Sequence, residues 1–252
     1  MTKTATFRFY EELNDFLSPE KRKRLFPFEF SGKPSVKDAI EALGVPHTEV
    51  DLILVNSRPV NFKYNICNDD YISVYPVFES LDITSVTLLR SKGLRKLNFI
   101  LDVHLGKLTA YLRMAGFDCF YENDNSGEDI IGIAAKEART ILTRNLGILK
   151  NGAVTRGYWI RSQDPKKQFE EVVKKFRLFS MFKPFSRCIR CNGLIIPVPK
   201  ERVLHLLKEA TKQYYQEFFH CSSCHRVYWK GSHYHRMKKF IESVLSTESI
   251  NL

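Results

Sequence analysis

Leu97-Asn98-Phe99-Ile100-Leu101-Asp102-Val103-His104-Leu105-Gly106-Lys107-Leu108-Thr109-Ala110-Tyr111-Leu112-Arg113-Met114-Ala115-Gly116 is the stretch that decides the fold. Leu97–Leu101 is a short, mostly apolar run that stops at a carboxylate, the pattern of a strand buried on both faces. Leu105, Leu108, Leu112 and Ala115 then recur at helical spacing, and Gly116 stands where a C-terminal cap belongs. Downstream, Cys119–Tyr121 reads as a second strand, and Ser126-Gly127-Glu128-Asp129 opens a helix running to about Ala138. Thr140–Thr143 is a third strand, ending at Arg144-Asn145, and Tyr158–Ile160 is a fourth. Asp164-Pro165 opens another helix, with Phe169, Val172, Val173 and Phe176 on its buried face. The alternation predicts an α/β domain with a mainly parallel, covered sheet.

The polar residues of this segment carry its chemistry. Asp102 and Asn145 fall just past the C-terminal ends of strands, and Asp164 follows the fourth strand closely. That edge of an open α/β sheet is where ligands bind. Asp129 lies in the first turn of a helix that can begin at the same edge. Clustered carboxylates require a cation, and hard oxygen donors suit Mg²⁺ or Mn²⁺, which activate water and stabilise charge on a phosphoryl group. Structural readings stand beside these. Asp129 completes a capping box, Asp164 before Pro165 is a good N-cap, and Glu137 is solvated or paired on its helix. Asp102 has the least structural reason to be where it is. Spacing alone leaves both readings open.

Toward the N-terminus, Ala5, Phe7 and Phe9 alternate with Thr4, Thr6 and Arg8, and Phe26, Phe28 and Phe30 repeat the period. Both read as half-buried strands. Ser35-Val36-Lys37-Asp38 is a capping box; Val36, Ala39, Ile40 and Leu43 give helical spacing, and Gly44 stops the helix. Leu52–Val55 and Tyr71–Tyr75 add two strands, the second after the turn Asn68-Asp69-Asp70. The order ββαββ, with Gly44-Val45-Pro46, Val55-Asn56 and Val74-Tyr75-Pro76-Val77, resembles the β-grasp ubiquitin-like domains and their sulfur-carrier relatives. Sulfur carriers end in a free Gly-Gly. Here the chain runs on through Pro76-Val77-Phe78-Glu79-Ser80, so the resemblance implies a packing or interaction module with a possible protein partner. Residues 1–80 are expected to form this α+β domain, 81–95 a linker and 96–180 the α/β domain.

Residues 181–245 hold two C-x-x-C pairs, Cys188/Cys191 and Cys221/Cys224, among six cysteines in all. Two such pairs offer four thiolates for a tetrahedral structural Zn²⁺, whereas a redox motif needs one pair. His220 and His225 flank the second pair as alternative ligands. Between the pairs, Val203, Leu207, Ala210 and Tyr214 share a helical face, predicting a helix around Val203–Phe218. Cys67 and Cys119 have apolar neighbours and are expected as buried thiols. After the second pair comes His225-Arg226-Val227-Tyr228-Trp229-Lys230-Gly231-Ser232-His233-Tyr234-His235-Arg236, a run of cations interleaved with rings. Such a run suits single-stranded RNA, where rings stack bases and cations meet phosphates; Tyr228 and Trp229 can equally pack the metal module.

Composition agrees. The formal net charge is +11 on 252 residues, with residues 1–85 at −3 and residues 86–252 at +14, so the polyanion partner belongs to the second part. The N-terminus has no apolar signal region, no apolar run approaches a membrane span, and paired cysteines reserved for metal fit a cytoplasmic protein.

Phe99-Ile100-Leu101-Asp102, Gly106-Lys107-Leu108, Leu112-Arg113-Met114-Ala115-Gly116-Phe117-Asp118, Asp129, Ala135-Lys136-Glu137-Ala138-Arg139, Ile141-Leu142-Thr143-Arg144-Asn145, Arg161-Ser162-Gln163-Asp164-Pro165 with Gln168, and the cysteine region together resemble the Mut-seven C-terminal ribonuclease family. The resemblance implies a PIN-like α/β domain with a C-terminal zinc ribbon behind a β-grasp domain, and a metal-dependent ribonuclease. Its acidic set carries over to Asp102 and Asp129 as Mg²⁺ or Mn²⁺ ligands. The third position, an Asp closing a Leu-Thr-Arg-Asp motif, is Asn145 here, with Glu128 or Asp164 able to compensate. Asn keeps a carbonyl oxygen but loses a charge, so a non-catalytic RNA-binding protein is the competing expectation. Arg113, Arg144, Arg226, Tyr228, Trp229, Lys230, His233 and Arg236 are the expected RNA contacts.

Overall fold

The computed structural model describes residues 2–77, 86–89 and 97–246, so of the expected linker 81–95 only residues 86–89 are described. The chain divides into two compact units. The first comprises Met1–Lys96 with Ala134–Glu137 and Asn145–Trp159; the second comprises Leu97–Ile133, Ala138–Arg144 and Ile160–Leu252.

In the first unit, β1 (Lys3–Phe9) pairs antiparallel with β2 (Phe26–Phe30), Phe7 lying opposite Phe26 and Ala5 opposite Phe28. Helix α1 (Val36–Ala42) begins with the expected capping box: Ser35 Oγ accepts the Asp38 amide at 3.2 Å, and the Ser35 amide donates back to the Asp38 carboxylate. Gly44 ends it at φ +106°, where any Cβ would lie 2.9 Å from the Phe16 carbonyl oxygen. Strands β3 (Val50–Val55), β4 (Arg58–Pro59) and β5 (Tyr71–Pro76) complete a mixed sheet of order β2-β1-β5-β3-β4. β1 and β5 are its parallel pair, the arrangement of a ubiquitin-like domain. Phe7, Phe9, Leu13, Ile40, Ile53 and Ile72 anchor its buried core. Cys67 departs from expectation. It is exposed, because it sits in the turn whose amide donates to Asp70, and that turn directs the thiol outward.

The second unit opens with β6 (Phe99–Leu101), followed by a 3-10 turn and α2 (Gly106–Met114). After β7 (Cys119–Phe120), α3 (Gly127–Glu137) leads to β8 (Thr140–Thr143). β7, β6 and β8 lie side by side and parallel, with β6 central. Phe99, Ile100, Leu101, Ile141 and Leu142 are fully buried, as the apolar runs require.

The next elements, α4 (Leu146–Lys150) and β9 (Gly157–Trp159), belong to the first unit. There the Lys150 ammonium donates to the Glu41 carbonyl at 3.0 Å, and the buried Glu49 carboxylate accepts the Trp159 amide at 2.6 Å. His47 lies 2.6 Å from Glu41 Oε1 through Nδ1 and 2.9 Å from the Val154 carbonyl through Nε2. Residues 145–159 are thus tied to α1 and to the 3-10 turn His47–Glu49 of the ubiquitin-like unit.

The chain returns to the second unit with α5 (Pro165–Lys175), whose Phe169, Val172 and Val173 are buried. A three-stranded antiparallel sheet follows: β10 (Ile195–Val198), β11 (Phe218–Cys221) and β12 (Val227–Trp229), in that order. Between its first two strands the expected single helix is broken into α6 (Lys200–Val203), a 3-10 turn and α7 (Glu209–Tyr214). The break is physical. Leu207 and Lys208 are extended so that Leu207 can join Val203 and Phe218 in a small core, while Tyr214 is left 80% exposed. Phe218 becomes strand because Cys221 must be delivered beside Ile195. The chain closes with α8 (Ser232–Ser246), which buries Ile241 and Val244.

Candidate functional site

Asp102 ends β6 and is 3% exposed. Oδ1 accepts the His104 amide at 2.9 Å and Oδ2 accepts the Arg144 amide at 2.9 Å, with the Thr143 hydroxyl donating to Oδ2 as well. The carboxylate therefore caps the turn after β6 and ties it to the end of β8. This is a structural role the bare sequence does not reveal. Thr143, fully buried, is part of that arrangement, and its only sequence signal is a hydroxyl on the last residue of an apolar strand. Three donors leave a carboxylate, with about four lone-pair directions, room for a further ligand.

Asp129 is exposed and completes the capping box of α3: its Oδ2 accepts the Ser126 amide at 3.0 Å and the Ser126 hydroxyl at 2.6 Å. Those bonds, the hydroxyl first, hold its carboxyl below the usual value. Asp164 is exposed and caps α5, with Oδ1 accepting the Lys166 and Lys167 amides at 3.0 Å. Asn145, in the first unit, caps α4 by accepting the Gly147 amide at 2.9 Å. In the second unit, Arg144 acts as a clamp. Its Nη1 donates to the carbonyls of Ile160, Arg161 and Ser162 at 3.1, 2.9 and 2.6 Å, fixing the turn that leads into α5.

Arg113 is 4% exposed, and its guanidinium is given to backbone rather than solvent. Nε and Nη2 donate to the Cys119 carbonyl at 3.0 and 2.8 Å, and Nη1 donates to the Arg190 and Ile189 carbonyls at 2.7 and 3.3 Å. Burial pushes its pKa down, against nearby thiols and Asp118. Asn192 ties the same region together, its Oδ1 accepting the Cys119 amide and its Nδ2 donating to Asp118. Asp118 also pairs with Arg139 at 2.7 Å and Arg187 at 3.3 Å.

The thiol sulfurs of Cys188, Cys191, Cys221 and Cys224 all lie within 4.8 Å of one another. A tetrahedral zinc with Zn–S of ~2.3 Å spaces its sulfurs by ~3.8 Å, so the cluster can hold this ion. Among the described residues it is the sole group of three or more His, Cys, Asp or Glu side chains so arranged. The two knuckles repeat one backbone pattern. The Cys188 amide donates to the Gly193 carbonyl and the Asn192 amide returns to the Cys188 carbonyl; Cys221, Arg226 and His225 do the same in the second. Asn192 and His225 both adopt left-handed φ, +70° and +56°, to close these turns. Gly193 is fixed by crowding, since a Cβ there would lie 2.8 Å from Cys221 Sγ and 2.5 Å from Ser223 Oγ. Burial opposes ionisation of the Cys188 thiol, but the Tyr228 hydroxyl at 3.0 Å and neighbouring amides outweigh it and hold the thiol down at about 6. Cys119, wholly buried, is pushed up instead.

The other expected RNA contacts are spread over the ribbon and α8. Tyr228 is half-buried against Cys188, while Trp229 stays 37% exposed beside Tyr215 and Phe218. Lys230 pairs with Glu217 at 2.6 Å. Arg226, His233 and Arg236 are exposed. No helix among the described residues is long and apolar enough to cross a membrane.

No functionally curated protein and no solved structure matches the chain. Two family models do: one described as Mut7-C ubiquitin over residues 2–82, and one described as Mut7-C RNAse domain over residues 97–241. The second covers more than half of the chain and points to a ribonuclease-type function with RNA as its partner, while the first suggests protein interaction. With a parallel sheet ending in a buried aspartate, four convergent thiols and this pair of matches, the chain belongs to the Mut7-C RNAse domain family, carried behind a Mut7-C ubiquitin-like domain.

Proposed function

We propose that the protein is a metal-dependent, PIN-like ribonuclease that hydrolyses RNA phosphodiester bonds in the cytoplasm, with Zn²⁺ structural in the ribbon. The observation that carries this reading is Asp102, a buried carboxylate at the C-terminal edge of a parallel sheet in a chain of the Mut7-C RNAse domain family. Asp102 and Asp129 would hold Mg²⁺ or Mn²⁺. Mg²⁺ commonly takes one or two carboxylates and completes its shell with water and substrate phosphate. Bound there, such a metal would lower the pKa of a water and offset charge on the phosphoryl oxygens. Asp102 orients through its Thr143 and amide contacts, and basic side chains hold the strand. In that hydrolysis the water would give up one proton to solvent as its oxygen bonds to phosphorus, the P–O3′ bond would break, and the leaving 3′ oxygen would take up a proton. Arg226, Tyr228, Trp229, Lys230, His233 and Arg236 supply RNA contacts, and the ubiquitin-like domain meets a protein partner.

A second reading has specific support. Asn145, Asp129 and Asp164 each act as helix caps, which accounts for them without catalysis, and Asn145 lacks the charge of the family's third acidic position. The protein would then bind RNA without cutting it. The two differ in product chemistry. Hydrolysis by activated water yields 5′-phosphate and 3′-hydroxyl ends, needs added Mn²⁺ or Mg²⁺, and proceeds on a strand whose 2′-hydroxyls are removed near the cut. Binding of RNA with no such products in Mn²⁺ establishes the second reading.

A further inference from the structure

Helix α2 has two working faces. Leu105, Leu108 and Leu112 go into the core, while Lys107, Ala110, Tyr111 and Met114 form a second stripe at i, i+3, i+4 and i+7. Helix α8 presents the matching stripe His233, Arg236, Met237 and Phe240, and the two stripes, with Lys166 from the first turn of α5, enclose a cleft of about 480 Å³. That volume lies within the range of small-molecule pockets, ~300–1,000 Å³, and accommodates one nucleotide.

The cleft has two chemical components. Tyr111 and Phe240 are part-exposed rings whose centroids lie 5.0 Å apart with planes inclined by 45°, and Phe169 closes against both, at 6.0 and 5.7 Å, fixing them as an aromatic platform of two inclined rings. Lys107, Lys166 and Arg236, all exposed, line the same cleft, with Lys166 Nζ 5.5 Å from the Phe240 ring centre. No acidic side chain lines the cleft, and among the described residues none of these three cations makes an ion pair. Unneutralised cations beside an aromatic platform fit an anion that carries a flat ring, the combination that holds single-stranded nucleic acid. A duplex, with its bases stacked inside, cannot offer one to this cleft.

We propose that the α2–α8 cleft takes one unpaired nucleotide of an RNA strand, its base against Tyr111 and Phe240 and its flanking phosphates on Lys107, Lys166 and Arg236. The inference rests on the reading of the chain as RNA-directed, and it adds a strand-gripping subsite separate from the Asp102 carboxylate. Lys107 follows Asp102 by five residues on the same turn-and-helix segment.

The test uses the full zinc-loaded protein, a fluorescein-labelled ten-nucleotide single-stranded RNA containing 2-aminopurine, and no added Mg²⁺ or Mn²⁺. Each phosphate contact contributes ~0.7 to the slope of log affinity against log salt for a single strand. The pair Lys107→Gln and Arg236→Gln, both at exposed positions, is expected to lower that slope by ~1.4 and to weaken binding ~25-fold at 0.1 M salt. Phe240→Leu, which keeps apolar bulk, is expected to restore 2-aminopurine fluorescence quenched in the wild-type complex. Unchanged slope and unchanged quenching overturn the proposal. So does adenosine monophosphate binding as tightly as the ten-mer, which assigns the cleft to a free nucleotide, or duplex binding as tight as single strand. Cleavage is scored separately in Mn²⁺: cutting with an indifferent cleft defeats only this inference, and an occupied cleft without cutting defeats only the ribonuclease reading.

Discussion

Replacing Arg113 with leucine separates two jobs this residue can do. The sequence expectation makes it an RNA contact, whereas the structure turns its guanidinium inward onto three carbonyls, those of Cys119, Ile189 and Arg190. A hydrogen bond from a charged donor is worth ~1.5–3 kcal/mol, and a buried acceptor left unpaired costs ~1–3 kcal/mol. Cys119 is wholly buried, so its carbonyl bears that cost in full; Ile189 is half-buried and Arg190 exposed, and their carbonyls together are assigned a loss of about 1 kcal/mol. Removing the desolvated charge returns part of the loss, leaving a net destabilisation of about 3 kcal/mol. For a protein of this size that is ~6–12 °C in Tm. Two of the released carbonyls, those of Ile189 and Arg190, belong to the first cysteine knuckle, so zinc is expected to pass faster to a chromogenic chelator. Arg113→Lys, which supplies a point charge without a fork, should recover only part of the stability. A Tm change below ~2 °C with unchanged zinc release, accompanied by weaker RNA binding, would refute this reasoning and return Arg113 to the RNA surface.

The remaining predictions concern the metal, acid stability and the third acidic position. Metal analysis should return about one zinc per chain, and Gly193→Ala, whose Cβ would press on Cys221 Sγ, should weaken zinc binding ~10–100-fold in a competition titration. Asp118 is ionised more readily than usual: burial opposes this, but Arg139 and Asn192 outweigh it. Its stabilising contribution is complete above pH ~4 and is lost as pH falls further, so Asp118→Asn should flatten the acid limb of stability below pH 4 while lowering stability at neutral pH. Asn145→Asp keeps the cap on α4, so stability measured by thermal melting should change by less than ~0.5 kcal/mol, while Mn²⁺-dependent cleavage rises if charge is what the position lacks.

Much of the fold is legible in short-range pattern. The apolar runs at Phe99–Leu101 and Thr140–Thr143, the capping boxes at Ser35/Asp38 and Ser126/Asp129, and the two C-x-x-C knuckles are each encoded within a few residues, and each forms as expected. Long-range commitments are not. Nothing near Arg113 announces that two of its three acceptors lie 76 and 77 residues away, and the sequence offers it as a surface contact for RNA. The helical spacing of Val203, Leu207, Ala210 and Tyr214 competes with the demand that Phe218–Cys221 pair with β10, and the strand wins. Helix α8 carries its own signal in Met237, Phe240, Ile241 and Val244, masked by the density of cations and rings just before it. Asp102 is the mixed case. Its place at a strand end is plain in the sequence, yet the hydroxyl and amides that hold it appear only when β6 and β8 lie side by side.

Single-turnover cleavage of one single-stranded RNA in Mn²⁺, by the wild-type protein and by Asp102→Asn, tests the central claim most directly. Zinc content and RNA affinity are measured on the same samples, so that a misfolded variant is recognised by losing both. With those retained, the account predicts 5′-phosphate products from the wild type and a rate at least ~100-fold lower from the variant, in line with the loss of transition-state charge stabilisation. Equal rates from the two proteins, or no cleavage above buffer from either, would contradict it.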